Sequence, residues 1–213
     1  MAKKVKTRDR ILKTALALFN EEGEAQVSTV EIAGVLEISP GNLYYHFKGK
    51  EAIIEALFDD FEEEIRQVLS APINRALSIE DNWIYIYIVF EEINDFRFFY
   101  NNVVGVLERC PTLRPRFARL LRLKEETAAS LLASLEKEGV IACSRVERDA
   151  LAARFAAHLT FWLQFMSLAG ADREARSVIN SGVYSAMMMI APYVVGDRAA
   201  FAALLADQFE AQK

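Results

Sequence analysis

The sequence predicts an all-α fold of about nine or ten helices. Three observations lead there. Apolar residues recur at spacings of three and four in one segment after another. Capping and breaking residues punctuate those segments where helices should start and stop. No two consecutive segments read as paired strands, so no sheet is expected. Apolar residues make up 53% of the 213, enough to bury a large core in one or two domains.

Residues 3–8 form a basic arm (Lys3, Lys4, Lys6, Arg8) with little to pack. From Thr7, which can cap, Ile11, Leu12, Ala15, Leu16, Leu18 and Phe19 share one helix face, and Gly23 suits the C-cap. Ser28-x-x-Glu31 is a capping box opening a short helix to about Leu36, with Val30, Ala33 and Leu36 turned inward. Glu37-Ile38-Ser39 turns the chain. Ser39 can cap the next helix, Pro40 fits its first turn, and Leu43 and Phe47 face the core before Gly49 breaks it. Residues 50–69 are a long amphipathic helix with Ile53, Ile54, Leu57, Phe58, Phe61, Ile65, Val68 and Leu69 inside, ended by Pro72.

Residues 78–94 pose a conflict. WIYIYIVF is rich in β-branched and aromatic residues, which locally favours a strand. Ser78-x-x-Asp81 reads as a helix cap and EEIND continues a helical rhythm, so the expectation is a helix apolar all round and therefore buried. A further aromatic-rich helix is expected over 96–107. Pro111 and Pro115 bracket a break, and 116–138 is long and amphipathic, closed by Gly139. Helices over 147–168 and 177–195 are poor in charge, and 198–209 forms a tail helix.

The net charge of −5 is uneven. Residues 1–50 carry eight Lys/Arg against six Asp/Glu, and the remainder carries 17 against 24. A basic tip on an acidic body can dock one end on a polyanion. Cys110 and Cys143 form no CxxC pair, and the basic N-terminus leads into an amphipathic pattern rather than an apolar leader, which together point to reduced thiols in a cytoplasmic protein. Residues 155–171 and 177–196 contain no Asp, Glu, Lys or Arg, but His158, Thr160, Gln164, Asn180 and Pro192 make a membrane hairpin a poor fit. There is no Gly-rich phosphate loop, GxSxG or HExxH, and only His46 and His158 are present. An enzyme is therefore not expected, nor a metal site or a cofactor.

The stretch 28–50 carries the most specific content. Two short helices joined by about three residues match a helix-turn-helix. The outer face of the second presents Gly41, Asn42, Tyr44, Tyr45, His46 and Lys48, with Ser39 and Pro40 at its start. Tyr, His and Lys reach phosphate oxygens, Asn pairs bidentately with adenine, and Gly lets backbone approach closely. A plain helical hairpin with a polar outside is the alternative.

IAGVLEISPGNLYYHFKGKEAI resembles the DNA-binding region of TetR-type (TetR/AcrR) transcriptional regulators, most specifically in Leu43-Tyr44-x-His46-Phe47 followed by Lys50-Glu51. The likeness covers roughly residues 7–57. It implies that Ser28, Thr29, Tyr44, His46 and Lys50 hold phosphates and that Pro40, Gly41, Asn42 and Tyr45 face base edges. It also implies a DNA-binding domain over 1–50 and a helical ligand-binding and dimerisation domain over 51–213. Glu37 stands where the family usually has Gly; a left-handed turn there would cost about 1 kcal/mol.

Two features of the body complete the expectation. The helices near 147–168 and 177–195 are apolar on more than one face, so a second copy pairing through Ala153, Ala157, Thr160, Ile179, Val183, Ala186 and Ile190 would bury them in a four-helix interface. An ordinary intrachain core is the alternative. Aromatics crowd the middle, and Trp83, Tyr87, Phe90, Phe99, Tyr100, Val103, Phe161, Trp162 and Phe165 form a candidate pocket, with Tyr85, Asn101, His158 and Gln164 as further polar contacts. The function this implies is a homodimeric regulator of double-stranded DNA with a palindromic operator, most simply a repressor released by a small apolar or aromatic effector. A helical carrier or enzyme using the aromatic core is the competing function.

Overall fold

The computed structural model describes residues 6–71, 78–170 and 174–211. Among them are eleven α-helices and two short 3-10 turns, and the only β-type pairing is a single bridge between Ile141 and Val194. The helix reading of the WIYIYIVF stretch therefore stands over the strand. The proline expected to end the fourth helix, Pro72, lies outside the described residues, as do Lys3 and Lys4 of the basic arm.

Three helices form a head. α1 (Thr7–Glu22) buries Ile11, Leu12, Ala15 and Phe19 and stops at Gly23, whose φ of 86° needs no side chain to be tolerated. α2 (Thr29–Val35) opens on the capping box, Ser28 Oγ accepting from Glu31 N at 3.1 Å. Its inner face is Ile32 and Ala33, with Leu36 half-buried, while Val30 is exposed. Val30 lies two residues, about 200° of helix, from Ile32, so the two cannot share a face. α3 (Pro40–His46) has Ser39 as N-cap, Pro40 in its first turn and Leu43 inside.

α4 (Lys50–Leu69) is about 30 Å long and runs from the head into the body. Its buried row, including Ile54, Phe58, Phe61 and Ile65, meets Phe96, Phe99, Tyr100 and Phe117 edge-on or tilted, with ring centroids 5.4–6.5 Å apart. α5 (Ile79–Asp95) buries Trp83, Ile86, Val89, Phe90 and Ile93. It is not buried all round, because Ile84 and Ile88 form an exposed row four residues apart.

The expected single helix over 96–107 is instead α6 (Arg97–Asn101) and α7 (Val103–Arg109), parted at Asn102. A Cβ on Gly105 would lie 2.6 Å from the Asn102 side chain, so Gly105 makes room for that amide to fold over the start of α7. α8 (Arg114–Lys137) follows a 3-10 turn, and Ser144 opens α9 (Arg145–Leu168) with a capping box of its own. α10 (Ala175–Met188) packs on α5 through Gly182, where a Cβ would meet Phe90 and Trp162 at 2.8 Å. α11 (Arg198–Glu210) is capped by Asp197 and closes the body. No helix among the described residues is long and apolar enough to cross a membrane.

Candidate nucleic-acid interface and core cavity

The turn between α2 and α3 is a Schellman motif. Ile38 N donates to Ala33 O and Glu37 N to Gly34 O, satisfying the last carbonyls of α2. The motif requires a left-handed residue, and Glu37 supplies it with φ of 56°. Arg10 Nη2 donates to Leu36 O at 3.4 Å and adds a cation to the same helix end. Ile38 and Phe47 then clamp α3 onto the head.

That geometry leaves one face of α3 open. Ser39, Pro40, Gly41, Asn42, Tyr44, Tyr45 and Lys48 are exposed and His46 is half-buried. Tyr45 is 77% and Tyr44 58% exposed, unusual for aromatic rings with no internal packing role. The Lys48 ammonium sits 4.5 Å over the Tyr44 ring, and Tyr45 meets His46 edge-on. A Cβ on Gly41 would find only Ser39 Oγ, at 3.9 Å, so nothing inside the chain demands glycine there. Ser28 is exposed and Thr29 half-buried at the start of α2. At the edge of this face, the Arg8 guanidinium lies 5.1 Å over the Phe47 ring.

Lys50 does something else. Its ammonium donates to Glu24 O at 2.7 Å, Val27 O at 3.0 Å and Ala25 O at 3.4 Å. All three acceptors lie in the α1–α2 loop, so the phosphate role implied for Lys50 is corrected to a clamp between that loop and the start of α4.

The same loop couples head to body. Glu24 is 2% exposed; its carboxylate pairs with Arg109 and accepts from Asn102 Nδ2 at 3.2 Å. Asn20 Nδ2 donates to Asp95 O at 2.7 Å while its Oδ1 accepts from Phe98 N. Beside these contacts a cleft of about 550 Å³ separates head from body.

The body holds a second, apolar cavity of about 40 Å³ between α4, α5, α8, α9 and the end of α10. Tyr85, Val89, Leu132, Phe155, Leu159 and Ile190 are among its walls, with Lys124 as the one charged residue. Lys124 is 1% exposed, and burial pushes its amine down to about 7. Its Nζ donates to Tyr100 Oη at 3.0 Å and Thr160 Oγ1 at 3.3 Å. The Thr160 hydroxyl donates onward to Ala156 O, and burial pushes the Tyr100 phenol upward.

None of the nine residues expected to form a pocket lines this cavity. Phe90, Phe99 and Val103 are packed core, and Trp83 is buried with no partner for its indole N–H among the described residues. Tyr100 lies behind Lys124, and Tyr87 is half-buried. Trp162 donates to Val178 O, and His158 holds Gly182 O. Phe161 and Phe165 point to the surface, 48% and 58% exposed. Of the further polar contacts only Tyr85 is a wall residue. The missed residue left a signal: Phe117, Leu120, Lys124, Ala128, Leu131 and Leu135 step by three and four, so Lys124 occupies an inward position of α8.

The expected dimer residues divide. Thr160, Ile179, Val183, Ala186 and Ile190 are buried within the chain, because α10 spends that face on α5 and the core. They are corrected to intrachain core. Ala153 and Ala157 are exposed and continue into Phe161, Phe165 and Leu168, an apolar stripe down α9.

Residues 60–201 match the family model described as TetR, bacterial transcriptional repressor, and residues 11–57 match that of bacterial regulatory proteins, tetR family. A crystal structure of a TetR-family regulator from Marinobacter aquaeolei VT8 superposes with a TM-score of 0.86, at 28% identity, covering 98% of this chain and all of that one. The Stenotrophomonas maltophilia SmeT–triclosan complex shares the fold, with a TM-score of 0.58 at 19% identity over 90% of this chain and 93% of its own. The regulator UidR of Escherichia coli K12 is 40% identical over 67 residues, 32% of this chain and 34% of its own length. The match thus spans about a third of the curated relatives. With an exposed polar face on α3 set by a left-handed turn, and two family models covering most of its length, this chain belongs to the TetR family of bacterial transcriptional regulators.

Proposed function

We propose that this protein is a cytoplasmic, homodimeric regulator that binds a palindromic operator through α3 and is released from it by a small, largely apolar effector. It acts as a repressor and has no enzymatic role. The observation that carries this reading is the outer face of α3, where Gly41, Asn42, Tyr44, Tyr45 and Lys48 stand exposed with no intrachain function for the glycine. Pro40, Gly41, Asn42 and Tyr45 read base edges; Ser28, Thr29, Ser39, Tyr44, His46 and Lys48 hold phosphates. Residues 1–50 form the DNA-binding unit and 51–213 the regulatory unit, joined by α4.

The dimer forms on the α9 stripe of Ala153, Ala157, Phe161, Phe165 and Leu168. Two copies packed there present their recognition helices together, as a twofold operator requires. SmeT, which shares the fold, is known in complex with triclosan, which supports an effector held in the body. Selecting bound fragments from a random DNA pool tests the reading. A short palindrome should emerge, with affinity falling steeply as salt rises. Absence of DNA binding at low salt refutes it.

A further inference from the structure

We propose that the effector is a monoanionic acid, its carboxylate held by Lys124 and its hydrocarbon tail lying in the cavity between α5, α8 and α9. This rests on the regulatory reading above and names the chemistry of its effector. Lys124 is buried, yet no carboxylate among the described residues pairs with it. Its partners are the hydroxyls of Tyr100 and Thr160 and the face of the Tyr100 ring, 4.7 Å from Nζ, and none of them carries the negative charge an ammonium would need. A buried ammonium without a counter-ion is costly, so the unliganded amine gives up its proton readily, and a bound carboxylate that supplies the missing charge favours the ammonium form.

The cavity sets the rest of the ligand. Beyond Lys124 its walls are mainly Leu, Ile, Val, Ala and Phe side chains, with Asn82, Tyr85 and Thr127 the polar exceptions, so the remainder of the molecule is largely hydrocarbon. One cation with no Arg beside it suits a single carboxylate better than a phosphate or a diacid. At about 40 Å³ the cavity is far smaller than a drug-sized site, so a thin flexible chain enters by parting the walls.

That parting has a built-in readout. Tyr85 Oη donates to Val68 O at 3.3 Å, and Thr127 Oγ1 donates to Leu69 O at 3.2 Å. Both residues are cavity walls, and both grip the last turn of α4. A tail that displaces them frees the body end of the helix whose other end begins at the Lys50 clamp. An acid that binds better when this grip is broken shifts the protein toward the released state.

The test measures binding of straight-chain acids of about six to fourteen carbons, each beside its methyl ester and matched alkylamine. Wild type and Lys124→Met are compared by calorimetry, and operator affinity of both is followed in parallel. The expected result is acid binding to wild type, at least about tenfold weaker for ester and amine, and loss of that preference in Lys124→Met with operator binding retained. Equal binding of acid and ester, unchanged acid binding in Lys124→Met, or no acid binding across the series each overturns the proposal. Acid binding that Lys124→Met abolishes, in a protein that binds no DNA, would uphold the site and sink the regulatory reading instead.

Discussion

Replacing Lys124 with Met removes a charge from the core while keeping an unbranched side chain of similar length. The amine falls from its ordinary 10.5 to about 7 through burial. At about 1.4 kcal/mol per tenfold change, that drop corresponds to roughly 5 kcal/mol of unfavourable charge burial. The lost hydrogen bonds to Tyr100 and Thr160 offset about 1 kcal/mol each. A net gain of about 1–4 kcal/mol remains, in line with other buried charges replaced by apolar groups. For a chain of this length that raises Tm by roughly 2–16 °C.

The gain depends on pH, and its sign follows from proton binding. Below about 7 the amine is charged in both states, so the native protein carries the full cost. Between about 7 and 10.5 the unfolded chain binds a proton that the native chain does not, so the wild type gains stability as pH rises. Tyr100, which accepts from the amine, and Tyr85, which shares the cavity wall with Lys124, are both pushed upward by burial and stay neutral across this window. Thermal unfolding of both proteins at pH 6 and pH 9.5 is the assay. The Lys124→Met advantage should be large at pH 6 and mostly gone at pH 9.5. An equal advantage at both values, or a destabilised variant at pH 6, refutes the claim that Lys124 is a strained buried cation.

Glu37→Gly should stabilise the protein by about 0.5–1 kcal/mol in urea unfolding, since φ of 56° strains any residue with a Cβ. A loss of stability would mean the Glu37 side chain does something the turn does not reveal. Lys50→Met should cost about 1–3 kcal/mol, because three loop carbonyls lose their donor. The salt dependence of operator binding should stay unchanged, whereas a slope reduced by about one would restore Lys50 as a phosphate contact. Phe161→Asp with Phe165→Asp should leave a folded monomer in sedimentation and weaken operator binding at least about tenfold. An intact dimer would move the interface off α9.

The head was largely legible in the sequence because its determinants are local. Ser28, Glu31, Ser39 and Pro40 act within four residues of themselves, and capping chemistry does not wait for the rest of the fold. The strain at Glu37 was implied by the resemblance, since the family usually has Gly at that turn position. Val30 was misread against its own helix geometry, whereas at Lys50 the deciding partners were distant in the chain, since Lys50 reaches back 23–26 residues.

In the body the sequence determined that helices form, and the tertiary structure decided which faces meet. Ile179, Val183 and Ala186 looked like a surface for a second copy, but α5 occupies them. Phe161 and Phe165 looked like pocket walls, yet they are left outside when Leu159 and Leu163 turn in. Aromatic character fixes the free energy of burial, not its direction, and a helix apolar on several faces carries no record of which one its neighbours take. Lys124 shows the converse. Its inward register on α8 was written in the spacing, but only the packing of α6 and α9 around it put two hydroxyls and, among the described residues, no carboxylate within reach.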